Sequence, residues 1–130
     1  MKILVDTPVW SQALRRREGN EHAGKLAGLI TDGLVVLIGP VMQEVLSGIS
    51  NEDMFDQLKL KLEQFETAPI TTHDYQTAAK FYNTCRKHGV QGSHIDFLIC
   101  AVAHNNDLLI YTLDGDFKHY AERLPIALYN

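Results

Sequence analysis

The chain has 130 residues, a length that fits a single domain built on one hydrophobic core. Hydrophobic residues make up 45% of it, which argues against disorder, and no apolar run reaches the ~18 residues that a membrane span needs. The formal net charge of −4 argues against indiscriminate polyanion binding through overall charge.

In chain order, short apolar runs alternate with segments of helical period. Residues 2–6 read as a strand. Pro8 suits a first helical position, with Asp6 or Thr7 as the cap, and the helix is expected to run to about Arg17. Glu18-Gly19-Asn20 reads as a turn. Ala23, Leu26, Ala27 and Ile30 give residues 21–32 a helical spacing, and Gly33 ends that helix. A strand over 34–38 leads through Gly39-Pro40 to a helix over about 41–48, and a further helix covers about 52–64. A short strand is expected within 65–70. Thr71 and Asp74 have the spacing of a capping box, with Asp in place of Glu, and open a long helix that reaches His88 and closes at Gly89. Ser93 caps a helix over 94–105. Then come a strand at 108–111, a short helix from Phe117 to Arg123 and a last strand over 126–128. This alternation predicts an α/β layer fold, one domain over residues 1–130, with a mostly parallel sheet flanked by helices.

Four carboxylates stand at the points where strand gives way to helix, or where a helix begins: Asp6, Glu44, Asp96 and Asp114. The C-terminal ends of parallel strands share one edge, and ligands bind in the crevice there. Four acids meeting at such an edge repel one another unless a cation neutralises them. Each has a plainer explanation on its own. Asp6 is a good helix cap, Glu44 borders an apolar helical arc, and Asp114 and Asp116 suit a turn. Asp96 lies in Ile95-Asp96-Phe97-Leu98-Ile99-Cys100-Ala101-Val102-Ala103, apolar on every side, so its carboxylate is expected to be buried and partnered, either by a ligand or by a capping box with Ser93. Their joint placement favours a shared site for a hard divalent cation.

The same segments carry a family resemblance. Ile3-Leu4-Val5-Asp6-Thr7-Pro8-Val9-Trp10, the glutamate of Val41-Met42-Gln43-Glu44-Val45-Leu46-Ser47-Gly48, the Asp96 segment and Tyr111-Thr112-Leu113-Asp114-Gly115-Asp116-Phe117 resemble, in order and over essentially the whole chain, the four motifs of PIN-domain nucleases of the VapC toxin type. The chain departs from that pattern at Pro8, where Ser or Asn is usual, and at Cys100, where Ala is usual. Leu113 and Gly115 stand where basic residues are frequent. The resemblance implies a five-stranded parallel sheet of order 3-2-1-4-5 and Mg²⁺- or Mn²⁺-dependent RNA cleavage. It further implies a cognate antitoxin partner and a homodimer.

The residue types fit that chemistry. Mg²⁺ takes oxygen ligands, typically one or two carboxylates plus waters and phosphate oxygens. Asp6, Asp96 and Asp114 are expected to bind the metal, with Glu44 reaching it through a water or orienting the attacking one. Asp116 is a candidate for a second ion or an outer position, and the Thr7 and Thr112 hydroxyls are candidate substrate contacts. The histidines (His22, His73, His88, His94, His104, His119) show no zinc spacing. No phosphate-cradling glycine motif appears. Cys85 and Cys100 have no metal-type spacing and read as reduced thiols of a cytoplasmic protein, and no cleavable leader is expected ahead of Asp6. The basic runs Arg15-Arg16-Arg17 and Arg86-Lys87-His88 read as solvated helix faces. The competing readings are a catalytically silent PIN-like scaffold that binds RNA or protein, and a DNA-directed nuclease of the same architecture.

Overall fold

The computed structural model describes residues 1–14 and 21–130. The Arg15-Arg16-Arg17 run, the end expected for the first helix and the turn at 18–20 lie outside the described residues.

Four strands, β1 (Ile3–Val5), β2 (Val35–Leu37), β3 (Glu66–Thr67) and β4 (Leu109–Tyr111), form one parallel sheet in the order β3-β2-β1-β4. The five-stranded order is therefore corrected. The segment at 126–128 adds a single bridge, Leu128 beside Ile110. The Ile126 N–H donates to the Leu124 carbonyl (2.8 Å), a tight turn around Pro125, so pairing starts only where the Ala127 carbonyl accepts from the Ile110 N–H (3.0 Å).

Seven helices are described: α1 (Thr7–Ala13), α2 (Glu21–Thr31), α3 (Gly39–Leu46), α4 (Glu52–Leu62), α5 (Thr72–Lys87), α6 (His94–Asn105) and α7 (Asp116–Ala121). Their ends follow local chemistry. Asp6, Asn51, Thr71 and Ser93 each accept a hydrogen bond from the first turn of the helix they cap. α3 starts two residues earlier than its apolar pattern suggests, because Pro40 fits the opening turn. Gly33 and Gly89 end α2 and α5 at φ 68° and 74°, a backbone region that favours glycine.

The core is the sheet and the apolar run of α6. Leu4, Val5, Val36, Leu37 and Ile110 are fully buried, and every residue of α6 from Phe97 to Ala103 is buried. α6 packs along α5. The two are joined by the Thr71–Asp74 capping box, whose Asp74 carboxylate also accepts from Asn105 Nδ2 (2.8 Å). Burial works to raise the Asp74 pKa, but the hydrogen bonds from Asn105 and Thr71 outweigh it, so the pKa lies below the usual carboxylate value.

One topological feature positions the site. From β1 the chain moves outward to β2 and β3, then returns to place β4 on the other side of β1. Connections leave β1 and β4 in opposite directions, and ligands of open α/β sheets bind outside the C-terminal strand ends at such a switch point.

Candidate active site

Asp6 sits at that switch point as the hub of a hydrogen-bonded set. Its backbone N–H donates to the Tyr111 carbonyl (2.9 Å), which carries the β1–β4 pairing one residue further. Its side chain caps α1, Oδ1 accepting from the Thr7 N–H (2.8 Å), and Oδ2 accepts from the Thr112 hydroxyl (2.8 Å). Trp10 holds α1 at this angle, its indole N–H donating to the Val5 carbonyl (3.2 Å) and its ring meeting Phe65 at 5.4 Å. Asp6 is 5% exposed, which makes it the most buried of the four candidate acids.

Asp114, Asp116 and Glu44 reach Asp6 through short hydrogen-bonded links, whereas Asp96 has no such link to it. Thr112 Oγ1 also accepts from the Asp114 N–H (3.0 Å), and Asp114 Oδ1 accepts from the Asp116 N–H (2.9 Å) as α7 begins. One oxygen of Asp114 thus serves the turn, as its plainer explanation holds. Asp114 is half-buried and Asp116 exposed. The Thr7 hydroxyl donates to Glu44 Oε1 (3.3 Å), and Glu44 is exposed on the second turn of α3. Both hydroxyls expected to touch substrate are therefore already engaged with carboxylates. Asp96 lies in the first turn of α6 and is half-buried, more open than its apolar neighbours suggest, because the fully covered part of that helix begins at Phe97. Ser93 Oγ accepts from the Asp96 N–H (3.1 Å), but the Asp96 carboxylate does not close a capping box. Instead its Oδ2 accepts from the Tyr120 hydroxyl (2.8 Å).

The electrostatics follow from this packing. Burial is the first cause that raises the Asp6 pKa, and the charges of Asp96 and Glu44 add to it. The hydrogen bonds from Thr112 and Thr7 pull the other way without reversing it. The donor set is all oxygen and acidic, which suits a hard divalent cation. As they stand, no three carboxylate, histidine or cysteine side chains among the described residues close on one point for a metal.

A stability test follows. A pKa raised in the fold means that Asp6 contributes stability below the ordinary value of 3.8 and loses that contribution as pH rises through its folded value. Asp6→Asn keeps the cap and removes the charge. In metal-free protein at neutral pH it should unfold at a higher midpoint than wild type, with the difference shrinking as pH falls toward 3.8. The Asp74 contribution runs in the opposite direction but is common to both proteins. Superimposable curves across the range would show that Asp6 carries no such strain.

A model of the PIN domain matches residues 3–123. The chain belongs to the PIN domain family. Solved structures share its fold. FitAcB from Neisseria gonorrhoeae is 25% identical, with 98% of this chain and 96% of that one covered at a TM-score of 0.79. VapBC2 from Rickettsia felis, bound to a DNA fragment from its promoter, is 17% identical over 100% and 98% of the two chains, TM-score 0.80. VapC20 from Mycobacterium tuberculosis, a sarcin–ricin loop cleaving toxin, is 18% identical over 97% and 99%, TM-score 0.70.

One residue of this PIN domain that motif reasoning passes over contacts a candidate acid. Tyr120 is fully buried and donates to Asp96. A signal for it exists. Phe117 and Tyr120 share one buried face of α7, and a tyrosine on a buried face needs a partner for its hydroxyl. Burial first, and then the Asp96 carboxylate, push the phenol far above its usual pKa, so it stays a donor. Both cysteines are buried, and burial holds the Cys100 thiol well above its usual range. His94 is exposed and stacks on Tyr82 at 5.1 Å, as a solvent-facing helix-start residue does. Arg86 sits over the same Tyr82 ring. No helix among the described residues is long and apolar enough to cross a membrane.

Proposed function

We propose that this PIN domain is a divalent-metal-dependent endoribonuclease and the toxin half of a toxin–antitoxin pair. The observation that carries the reading is the placement of Asp6, with Thr112 and Asp114 on one side and Thr7 and Glu44 on the other, at the point where the sheet order reverses. Asp6, Asp96 and Asp114 would hold Mg²⁺ or Mn²⁺, Glu44 would reach it through a water, and Asp116 would support from outside. When bound, the cation would offset the clustered charge, acidify a water and polarise the scissile phosphate.

The remaining work falls to this chain's own groups. Thr112 fixes Asp6 Oδ2 and, through the Asp114 N–H, the loop after β4. Thr7 steadies Glu44 Oε1, which would leave Oε2 to orient the attacking water. The likeness to VapC20, a sarcin–ricin loop cleaving toxin, supports RNA as the polymer here. The likeness to the FitAcB and VapBC2 structures supports an antitoxin as protein partner, and a second copy of the chain is the further partner we propose. An apolar groove of about 270 Å³, lined by Trp10, Leu26, Ile30, Leu58, Leu62 and Phe65, suits an antitoxin segment.

The test is the chemistry of the ends. Purified protein with Mn²⁺ should leave 5′-phosphate and 3′-hydroxyl termini on RNA, and chelation should stop cleavage. A 2′-deoxy nucleotide at the cut position should still be cleaved. Products ending in 2′,3′-cyclic phosphate would instead indicate attack by the RNA 2′-hydroxyl, and attention would move to the histidines.

A further inference from the structure

We infer that Tyr120 is a positioning residue for Asp96, with Gly92 clearing the space that lets its hydroxyl arrive. The inference rests on the nuclease reading above and extends it to residues outside the acidic motifs. The Tyr120 ring is fully buried, held by Phe97 (centroids 4.9 Å) and Phe117 (5.0 Å). Its single hydroxyl proton has two acceptors in range: Asp96 Oδ2 at 2.8 Å and the Gln91 carbonyl at 3.4 Å. The shorter contact, to the carboxylate, is the stronger one.

Gly92 lies against this contact. A Cβ there would stand 2.3 Å from the Tyr120 hydroxyl oxygen, 2.8 Å from its Cζ and 3.0 Å from Phe97 Cε2. Gly92 does not have the positive φ of Gly33, Gly48 or Gly89, so what it supplies is room rather than an unusual backbone. Ser93, the next residue, ties down the Asp96 N–H. The start of α6 is thus fixed at the backbone by Ser93 and at the carboxylate by Tyr120, through Oδ2. Partners that orient a ligating carboxylate in this way set its affinity for the ion.

Tyr120→Phe removes the hydroxyl and keeps the ring. By calorimetric titration, its dissociation constant for Mn²⁺ should rise about 10–100-fold. The Mn²⁺ concentration for half-maximal RNA cleavage should rise with it, with the rate largely recovered at saturation. The metal-free melting midpoint should stay near that of wild type. Gly92→Ala should weaken Mn²⁺ binding in the same direction, and the double variant should lose little more than the worse single one. If Gly92→Ala does not fold, Tyr120→Phe decides alone. Wild-type Mn²⁺ affinity in Tyr120→Phe, with binding lost in Asp96→Asn, would overturn the role of Tyr120 and leave the metal site standing. A lower metal-free midpoint with unchanged Mn²⁺ affinity would likewise make Tyr120 a packing residue only. Mn²⁺ binding that is absent from wild type, or unaffected by Asp96→Asn, would overturn the inference and the nuclease reading together.

Discussion

RNA cleavage by the Asp6→Asn protein is expected to fall by about 10²-fold or more, roughly 2.7 kcal/mol of transition-state stabilisation. The substitution separates charge from shape. Asparagine caps a helix as well as aspartate does, so the bond from the Thr7 N–H can persist and α1 keeps its start. The amide nitrogen then stands where Oδ2 was, so the Thr112 contact is kept only with its direction reversed, the amide donating to Thr112 Oγ1. What is lost is the negative charge at the hub of the crevice, and with it the hold on a cation. Asp96→Asn should lose as much, and chelating the wild-type protein should match both. Asp6 makes the sharper test because its loss of activity should come with no loss of stability in the metal-free protein. Normal cleavage by Asp6→Asn with Mg²⁺ or Mn²⁺ present would remove the acids from the chemistry, whatever the fold.

Expression of the wild-type chain alone should arrest growth, and expression of Asp6→Ala should be tolerated. A ribonuclease acting in a cell without its inhibitor degrades RNA that growth depends on. The acidic crevice also suggests how such an inhibitor works. An inserted Arg or Lys would satisfy the same carboxylates that call for a cation, with Arg able to bond a carboxylate through two parallel N–H donors. A small protein encoded beside this one should therefore co-purify with it and block cleavage, and changing its inserted cation to Ala should relieve the block. Undisturbed growth during strong expression of folded, metal-binding protein would end the toxin role while leaving the nuclease assignment intact.

Most element positions were legible because their signals are local. Ser93 opens α6, the Thr71–Asp74 pair boxes the start of α5 and Gly89 closes it, each through contacts within one turn. The last strand was not legible in the same way. Ile126 to Leu128 has the composition of a strand, but the turn around Pro125 delays its pairing, and only one bridge to β4 forms. Asp96 shows the same limit at a side chain. Its apolar neighbours suggested deep burial and a box with Ser93, whereas the carboxylate is half-buried and turns to Tyr120.

By itself, the sequence determined the α/β class, the parallel sheet and the four candidate acids, because strand runs, helix periods and caps act over a few residues and the acids sit at their junctions. Tertiary structure decided how those acids relate. It set the reversal of strand order that brings β4 beside β1, the threonine hydroxyls that bind carboxylates rather than standing free, and the greater burial of Asp6 compared with Asp96. It also decided that Tyr120, 24 residues away along the chain, reaches Asp96 through space left by Gly92. Such contacts depend on which surfaces meet after packing, and no periodicity or local propensity records that.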